Sequence, residues 1–235
     1  MTLDKHIVTS ASGEYTRDVW LIPSPVGEPT RLCVFLDAEF YLERMDAAAT
    51  ITSMIERGEI SPVACVFVSH NGREARHYDY TCSSRYSEFV AGDIVAFAMS
   101  QFPTLASGGH VACGLSLSGL ASAYLAVTQT RVFSSALCQS PSFWYADEVF
   151  AVYSALVRPD GASLWISVGD RETEAGIEHP PTGLWQNVSQ LESVERAASI
   201  LASHGNHVQY RVFEGGHEIE PWRDELPDAL RWLLG

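Results

Sequence analysis

Short apolar runs alternate with longer amphipathic segments along this chain of 235 residues. The runs Arg31–Leu36 and Pro62–Ser69 are almost continuously apolar, as expected for strands covered on both faces of a parallel sheet. The segments Tyr41–Arg57 and Tyr86–Gln101 instead repeat apolar residues at helical spacing. Because strands and helices alternate, the pattern predicts a parallel sheet whose strands are joined by right-handed crossovers.

The same pattern predicts the remaining elements. Further strands are predicted at Lys5–Ser10, Arg17–Ile22, from Val111, at Ser134–Gln139, Leu164–Val168 and His207–Phe213. Further helices are predicted from about Leu117, near Asp147–Val157, at Asn187–His204 and at Trp222–Leu234, with a polar loop at His70–Arg85. The expected fold is one α/β domain over residues 1–235, with a mostly parallel twisted sheet of about eight strands and helices on both faces.

One corner of the chain joins the central apolar strand to a helix of small residues, and Ser116 lies at that corner. A sharp strand-to-helix corner lifts a serine oxygen above the sheet, and the helix then passes so close to the strand that only small neighbours fit. Gly114 and Ser118, two residues to either side, meet this requirement. Ser118 is the rival nucleophile, but the bulky Leu120 stands two residues after it. The pattern therefore predicts Ser116 as a nucleophile.

Two acids and a histidine follow later strands. Asp170 and Glu172 come after Leu164–Val168, and His217 comes after the last strand, preceded by two glycines that let the loop turn back. A histidine activates a serine hydroxyl by accepting its proton, and a carboxylate fixes the tautomer of that histidine. The order serine, acid, histidine is the one that α/β-hydrolases use. Either acid fits, and the other is expected to be a solvated turn or cap residue.

The oxyanion formed in such a reaction needs two aligned donors. The backbone N–H of Leu117, directly after the serine, is expected to be the first. The second is expected from the loop after the Arg31–Leu36 strand, around Ala38 and Glu39. Since both donors are backbone N–H groups, the side chains at these positions say little about whether the donors are present.

Composition narrows the class of partner. The formal net charge is −14, with 46% hydrophobic and 19% charged residues, so we expect a globular protein that binds neither nucleic acid nor an anionic membrane. Four of the five cysteines lie in predicted strands and their spacings are unpaired, which predicts reduced thiols and a cytoplasmic setting. No apolar signal-peptide core opens the chain and no run reaches membrane-spanning length. A small molecule is the expected partner, and the oligomeric state stays open.

Patterns typical of other chemistries are absent from the sequence. The segment Gly114–Gly119 lacks the lysine of a phosphate-binding P-loop, and no strand-linked G-x-G-x-x-G occurs. The segment after His217 begins like a zinc-protease helix, but Pro221 stands where the second histidine is required. We therefore expect neither a cofactor nor a metal.

Several segments together resemble the putative esterase family of α/β-hydrolases, most of all its enterochelin (siderophore) esterase branch. The most specific of them is Glu214–Glu218 followed by Trp222-Arg223. The others are Val34–Tyr41, Arg57–Pro62, Arg76–Cys82, Gly114–Leu117 and Gln139–Tyr145, so that the resemblance runs from about Tyr15 to the C-terminus. Ala38, Ser118, Pro141 and Glu218 replace the family's usual Gly, Gly, Gly and Asp, which indicates a divergent member.

The resemblance also implies roles for individual residues. It implies Ser116 as nucleophile, His217 as base and Glu172, three residues after Gly169, as the acid. It places the second oxyanion donor near Glu39. The residues that it assigns to substrate binding are Arg76, as a cation for an acidic group, Trp144 and Trp222, as walls of the pocket, and Asp37.

These features predict a serine esterase that hydrolyses a carboxylic ester through an acyl-enzyme. The alternatives are an acyltransferase or thioesterase with the same residues, and a non-catalytic protein that binds a small ester or siderophore on the same fold. Specificity is expected in three segments that follow predicted strands, His70–Arg85, Ser140–Val149 and Arg171–Gln186.

Overall fold

The computed structural model of the protein describes residues 3–154 and 161–235. The strands in these ranges are β1 (Lys5–Thr9), β2 (Thr16–Ile22), β3 (Arg31–Leu36), β4 (Val63–Val68), β5 (His110–Leu115), β6 (Phe133–Gln139), β7 (Ser163–Gly169), β8 (Ile177–His179), β9 (Leu184–Gln186) and β10 (His207–Phe213). The helices are α1 (Ala38–Glu43), α2 (Ala47–Glu56), α3 (Arg73–Asp79), α4 (Ser84–Phe89), α5 (Val95–Gln101), α6 (Leu117–Thr128), α7 (Tyr145–Ser154), α8 (Gln190–Ser203) and α9 (Ile219–Leu234).

Eight of these strands form one sheet in the order β1-β2-β4-β3-β5-β6-β7-β10. The pairs β1–β2 and β2–β4 are antiparallel, and the other pairs are parallel. The predicted mostly parallel eight-stranded sheet is therefore confirmed. Strands β8 and β9 form a separate antiparallel hairpin.

Helices cover both faces of this sheet. Along β3, Cys33 and Phe35 belong to an apolar cluster with α2 and α9. The alternate residues Leu32 and Val34 belong to a second cluster with α4, α5 and α6. This alternation explains why β3 is apolar at nearly every position. All five cysteines are free thiols, and four of them are buried.

Several elements differ from the predicted ones. The predicted helix Tyr41–Arg57 is two helices, α1 and α2, because Asp46 between them has a left-handed backbone with φ 51°. The predicted helix Tyr86–Gln101 contains one π-helical turn at Val90–Ile94. The end of the predicted helix Asp147–Val157 lies outside the described residues.

Two segments in which no helix or strand was predicted contain regular structure. Helix α3 lies within the predicted loop His70–Arg85, and the β8–β9 hairpin lies within Arg171–Gln186. Both elements are short, with seven residues in α3 and three in each strand of the hairpin, so neither gives a clear periodic signal. None of the helices in the described ranges combines the length and the apolar character needed to cross a bilayer.

Candidate active site

The corner after β5 has the backbone of a strained turn. Ser116 has φ 55° and ψ −121°, a conformation that a non-glycine residue adopts only when its surroundings enforce it. Its N–H donates to the carbonyl of Gln139 at 2.8 Å. A Cβ atom on Gly114 would lie 2.1 Å from the carbonyl oxygen of Ser118. Glycine is therefore required where α6 crosses the end of β5.

The two serines of the corner have different surroundings. Ser118 is fully buried, and its hydroxyl donates to the carbonyl of Leu115 and accepts from the N–H of Leu115, both at 2.8 Å. Ser116 is partly exposed, and its Oγ lies 3.5 Å from Ser142 Oγ. The geometry therefore leaves Ser116 accessible to a ligand and holds Ser118 within the fold.

The loops after β7 and β10 bring a carboxylate and an imidazole together. His217 Nδ1 lies 2.6 Å from Glu172 Oε2. The Glu172 side chain is 2% exposed and the His217 side chain 44% exposed. The other oxygen of Glu172 accepts from the N–H of Gly169 at 2.8 Å and from Ser140 Oγ at 2.6 Å. Three hydrogen bonds thus fix a buried carboxylate against a ring that reaches solvent.

The second acid of this loop has another role. Asp170 Oδ1 accepts from the N–H of Gly215 at 2.9 Å, so it orders the glycine-rich turn before His217. Its backbone N–H donates to the carbonyl of Phe213 at 2.9 Å. Of the two acids that the sequence leaves open, Glu172 is the one against the imidazole.

Trp222 supports this pair from α9. Its ring lies edge-on to the His217 ring, with centroids 4.8 Å apart and an angle of 90°. Its Nε1 donates to Ser140 Oγ at 3.0 Å, and Ser140 donates on to Glu172. The indole therefore contacts the imidazole directly and the carboxylate through one hydroxyl.

Ser116, Leu117, Glu172 and His217 line one cavity of about 690 Å³. No hydrogen bond joins Ser116 to His217 in the part of the chain that the structure describes. The cavity lies at the carboxyl ends of the parallel strands, where α/β sheets bind ligands.

Charges around this cavity differ between its two sides. On the β3–β4 side, Arg44 follows α1 and Arg73 begins α3, and neither forms an ion pair with a described residue. On the β7–β10 side, the lining charges besides the Glu172–His217 pair are those of Arg171, Glu174, Glu218 and Glu220. The cationic groups on the first side can hold a negatively charged group.

Arg76 also lines the cavity, but its guanidinium already has a partner. Its Nη2 lies 2.7 Å from Asp37 Oδ2, and Asp37 is fully buried. Burial by itself lowers the pKa of Arg76, but the adjacent Asp37 carboxylate outweighs it and the pKa is raised. The sequence predicts that both residues contact substrate, whereas Asp37 is not among the lining residues and binds Arg76 instead.

The remaining predicted site residues are placed as follows. Trp144 lines the cavity, stacks on His179 with centroids 4.8 Å apart, and donates from Nε1 to Gln190 Oε1 at 2.6 Å. The Glu39 side chain accepts from Ser69 Oγ at 2.5 Å. Glu39 is not itself a lining residue, although its neighbour Phe40 is.

Sequence reasoning missed the residues that support the site. Ser140, with a left-handed backbone of φ 41°, and Ser142 follow β6 and contact Glu172 and Ser116. Gln190 anchors the same turn by donating to the Ser140 carbonyl. The available signal for Ser140 and Ser142 was the family resemblance, part of which lies in the segment Gln139–Tyr145. In the described ranges no cluster of three or more His, Cys, Asp or Glu side chains is arranged to hold a metal ion.

The sheet order, the strained serine corner after β5 and the pair Glu172–His217 after β7 and β10 define an α/β-hydrolase fold. The chain belongs to the putative esterase family, which its residues 10–233 match.

Among its relatives, the iron(III) enterobactin esterase of Dickeya dadantii is 25% identical over 93% of this chain and 52% of the relative. The iron(III) salmochelin esterase of Escherichia coli O6:H1 is 23% identical over 89% of this chain and 52% of the relative. The enterobactin esterase of Shigella flexneri, solved in the presence of enterobactin, superposes with a TM-score of 0.85 at 20% identity, over 99% of this chain and 58% of that one. The chain thus spans about half the length of the curated relatives it matches.

Proposed function

We propose that this chain is a serine esterase in which Ser116, His217 and Glu172 hydrolyse a carboxylic ester through an acyl-enzyme. The observation that carries the proposal is the 2.6 Å contact between His217 Nδ1 and Glu172 Oε2, in the cavity that Ser116 also lines. Because Nδ1 donates to the carboxylate, Nε2 is left to accept the Ser116 proton.

In the first step, Ser116 Oγ attacks the ester carbonyl carbon while His217 Nε2 takes the hydroxyl proton. The carbonyl oxygen becomes an oxyanion, which the N–H groups of Leu117 and Glu39 stabilise. A hydrogen bond between Ser116 Oγ and His217 Nε2 forms when substrate binds, since catalytic hydrogen bonds often tighten only in the complex with substrate. When the intermediate collapses, His217 gives its proton to the leaving alcohol and the acyl group stays on Ser116.

In the second step, His217 accepts a proton from water, and the resulting hydroxyl attacks the acyl carbon. Collapse of this second intermediate releases the acid and returns the proton to Ser116 Oγ. Glu172 stays ionised throughout and stabilises the imidazolium. Its two other hydrogen bonds, from Gly169 and Ser140, hold the carboxylate in place beside the imidazole.

The substrate is proposed to be a small ester that carries negative charge. Arg44 and Arg73 support this, because they line the cavity and have no carboxylate partner among the described residues. The names of the relatives make an ester-linked ferric siderophore the first substrate to test.

The proposal is tested by Ser116→Ala. We expect turnover of p-nitrophenyl acetate, and of a ferric siderophore ester if it is a substrate, to fall by about 10³-fold or more. The matched control is Ser122→Ala on the same helix, since Ser122 is fully buried and its hydroxyl has no hydrogen-bond partner among the described residues. Ser122→Ala should keep full activity. Undiminished turnover in folded Ser116→Ala would show that another residue is the nucleophile.

A further inference from the structure

We propose that Arg76 and Asp37 are positioning residues, whose ion pair holds the first turn of α1 against the serine corner and leaves a backbone N–H of that turn free for the oxyanion. This inference rests on the proposed serine esterase function. It gives Arg76 a role other than the binding of a substrate anion.

The ion pair between Arg76 and Asp37 is bidentate and buried. Arg76 Nε lies 2.8 Å from Asp37 Oδ1 and 3.0 Å from Oδ2, and Nη2 lies 2.7 Å from Oδ2. The side chains are 13% and 0% exposed. A planar fork that faces a carboxylate fixes both distance and orientation. The Asp37 N–H, on the other side, donates to Tyr80 Oη at 3.2 Å.

Arg76 changes what Asp37 does at the start of α1. An aspartate at this N-cap position ordinarily accepts a hydrogen bond from an N–H two or three residues later. Asp37 instead has a left-handed backbone, with φ 60° and ψ 50°, and its side chain caps nothing. Its carboxylate is taken up by Arg76, so it is not available to the first turn of the helix.

Because Arg76 takes up the Asp37 carboxylate, a backbone N–H at the start of α1 is left without an acceptor among the described residues. The N–H of Phe40 donates to the carbonyl of Asp37 at 2.9 Å. The N–H of Glu39 donates no hydrogen bond to any residue within the described ranges. A free backbone N–H directly before Phe40, which lines the cavity, suits an oxyanion.

The same guanidinium reaches the serine corner. Arg76 Nη2 lies 3.4 Å from the carbonyl oxygen of Leu115, which belongs to the peptide bond directly before Ser116. The guanidinium carbon of Arg76, Cζ, lies 5.7 Å from the centroids of both the Phe40 and Tyr80 rings. One side chain therefore ties the backbone that presents the nucleophile to the backbone that presents the second oxyanion donor.

The test compares Arg76→Gln, Asp37→Asn and the double variant on two esters with the same leaving group. These are the neutral p-nitrophenyl acetate and the anionic p-nitrophenyl hemisuccinate. If the pair positions an oxyanion donor, kcat should fall by about 10²-fold for both esters, with KM nearly unchanged. The double variant should be no slower than either single variant, because each one breaks the same contact.

The matched control is Asp79→Asn. Asp79 lies on the same helix α3 and forms a buried ion pair with Arg17, and it does not line the catalytic cavity. Its loss should lower the thermal unfolding temperature while kcat is kept. Arg76→Lys, which keeps the charge without the fork, should recover only part of the lost kcat.

A rise in KM for the anionic ester alone, with kcat for the neutral ester unchanged in Arg76→Gln, would overturn the proposal and make Arg76 a substrate-binding residue. An equal loss of kcat in Asp79→Asn would also overturn it, since any buried ion pair would then have the effect. If Arg76→Gln does not fold, the nearly isosteric Asp37→Asn tests the same contact. Failure of the esterase function is recognised separately, because Ser116→Ala would then keep the turnover of the unmodified protein.

Discussion

The two sides of the cavity, on either side of Ser116, hold their charges in different ways. On the β3–β4 side, Arg76 is locked to the buried carboxylate of Asp37 and keeps its charge at every pH at which proteins fold. On the β7–β10 side, the buried carboxylate of Glu172 faces the half-exposed imidazole of His217. We infer that the first side supplies fixed dipoles and charge, and that the second side moves protons.

Because of this difference, mutations on the two sides of the cavity should have different effects on kcat. Changes on the β7–β10 side should alter proton transfer and therefore the dependence of kcat on pH. Changes on the β3–β4 side should lower kcat by a similar factor at every pH, since no group there loses or gains a proton in the reaction. The Arg76 and Asp37 variants described above probe the β3–β4 side. The predictions below probe the opposite side, beginning with the largest effect.

Among Glu172→Gln, Ser140→Ala and Glu225→Gln, the first substitution should have the largest effect. The amide can no longer stabilise an imidazolium, and we expect kcat to fall by about 10²- to 10⁴-fold. Asp170→Asn is the matched control, because an amide oxygen can still accept the N–H of Gly215, and its kcat should stay near that of the unmodified protein. The measurement is kcat for ester hydrolysis by both variants over a range of pH. A larger loss in Asp170→Asn would transfer the role of the acid to Asp170.

Ser140→Ala should have an intermediate effect. The substitution removes the 2.6 Å hydrogen bond to Glu172 Oε1 and leaves Trp222 Nε1 without its acceptor. We expect kcat to fall by about 10-fold and stability by about 1–3 kcal/mol. Ser135→Ala, on strand β6 that leads to this turn, should change neither quantity appreciably. Unchanged kcat in Ser140→Ala would show that the other hydrogen bonds of Glu172 hold it in place without help.

Much of this site could be predicted from local sequence, and the rest depends on contacts between distant segments. The serine corner follows from the small residues around Ser116, and the place of His217 follows from the glycines before it. Asp170 and Glu172 are both acids in one turn, so only the three-dimensional path of the loop decides which of them meets His217.

The role of Arg76 depends still more on the fold. The family resemblance implies Arg76 as a cation for an acidic substrate group, whereas its pairing with Asp37 requires β3 and β4 to be neighbours in the sheet. The fold itself was predictable where the apolar pattern was clear, as in the continuous apolar run of β3 and the helical spacing of α9. Periodicity was too short to reveal α3 and the β8–β9 hairpin, which line part of the cavity.

Glu225→Gln should have the smallest effect, and it concerns stability. Burial raises the pKa of Glu225, against hydrogen bonds from Ser167 and Gln139 that lower it. A raised pKa in the folded state stabilises the protein below the pKa of the unfolded chain, and this contribution is lost as pH rises through the folded pKa. Chemical denaturation should therefore show Glu225→Gln gaining stability relative to the unmodified protein as pH rises from about 4 to 8. A difference that does not change with pH would contradict the prediction.

The most direct test of the central claim is the site and rate of labelling by a fluorophosphonate, which reacts with an activated serine. Intact protein should form one covalent adduct, located on Ser116 by peptide fragmentation, and His217→Ala should label far more slowly. An adduct on another residue, or equal labelling rates in the two proteins, would contradict an activated Ser116.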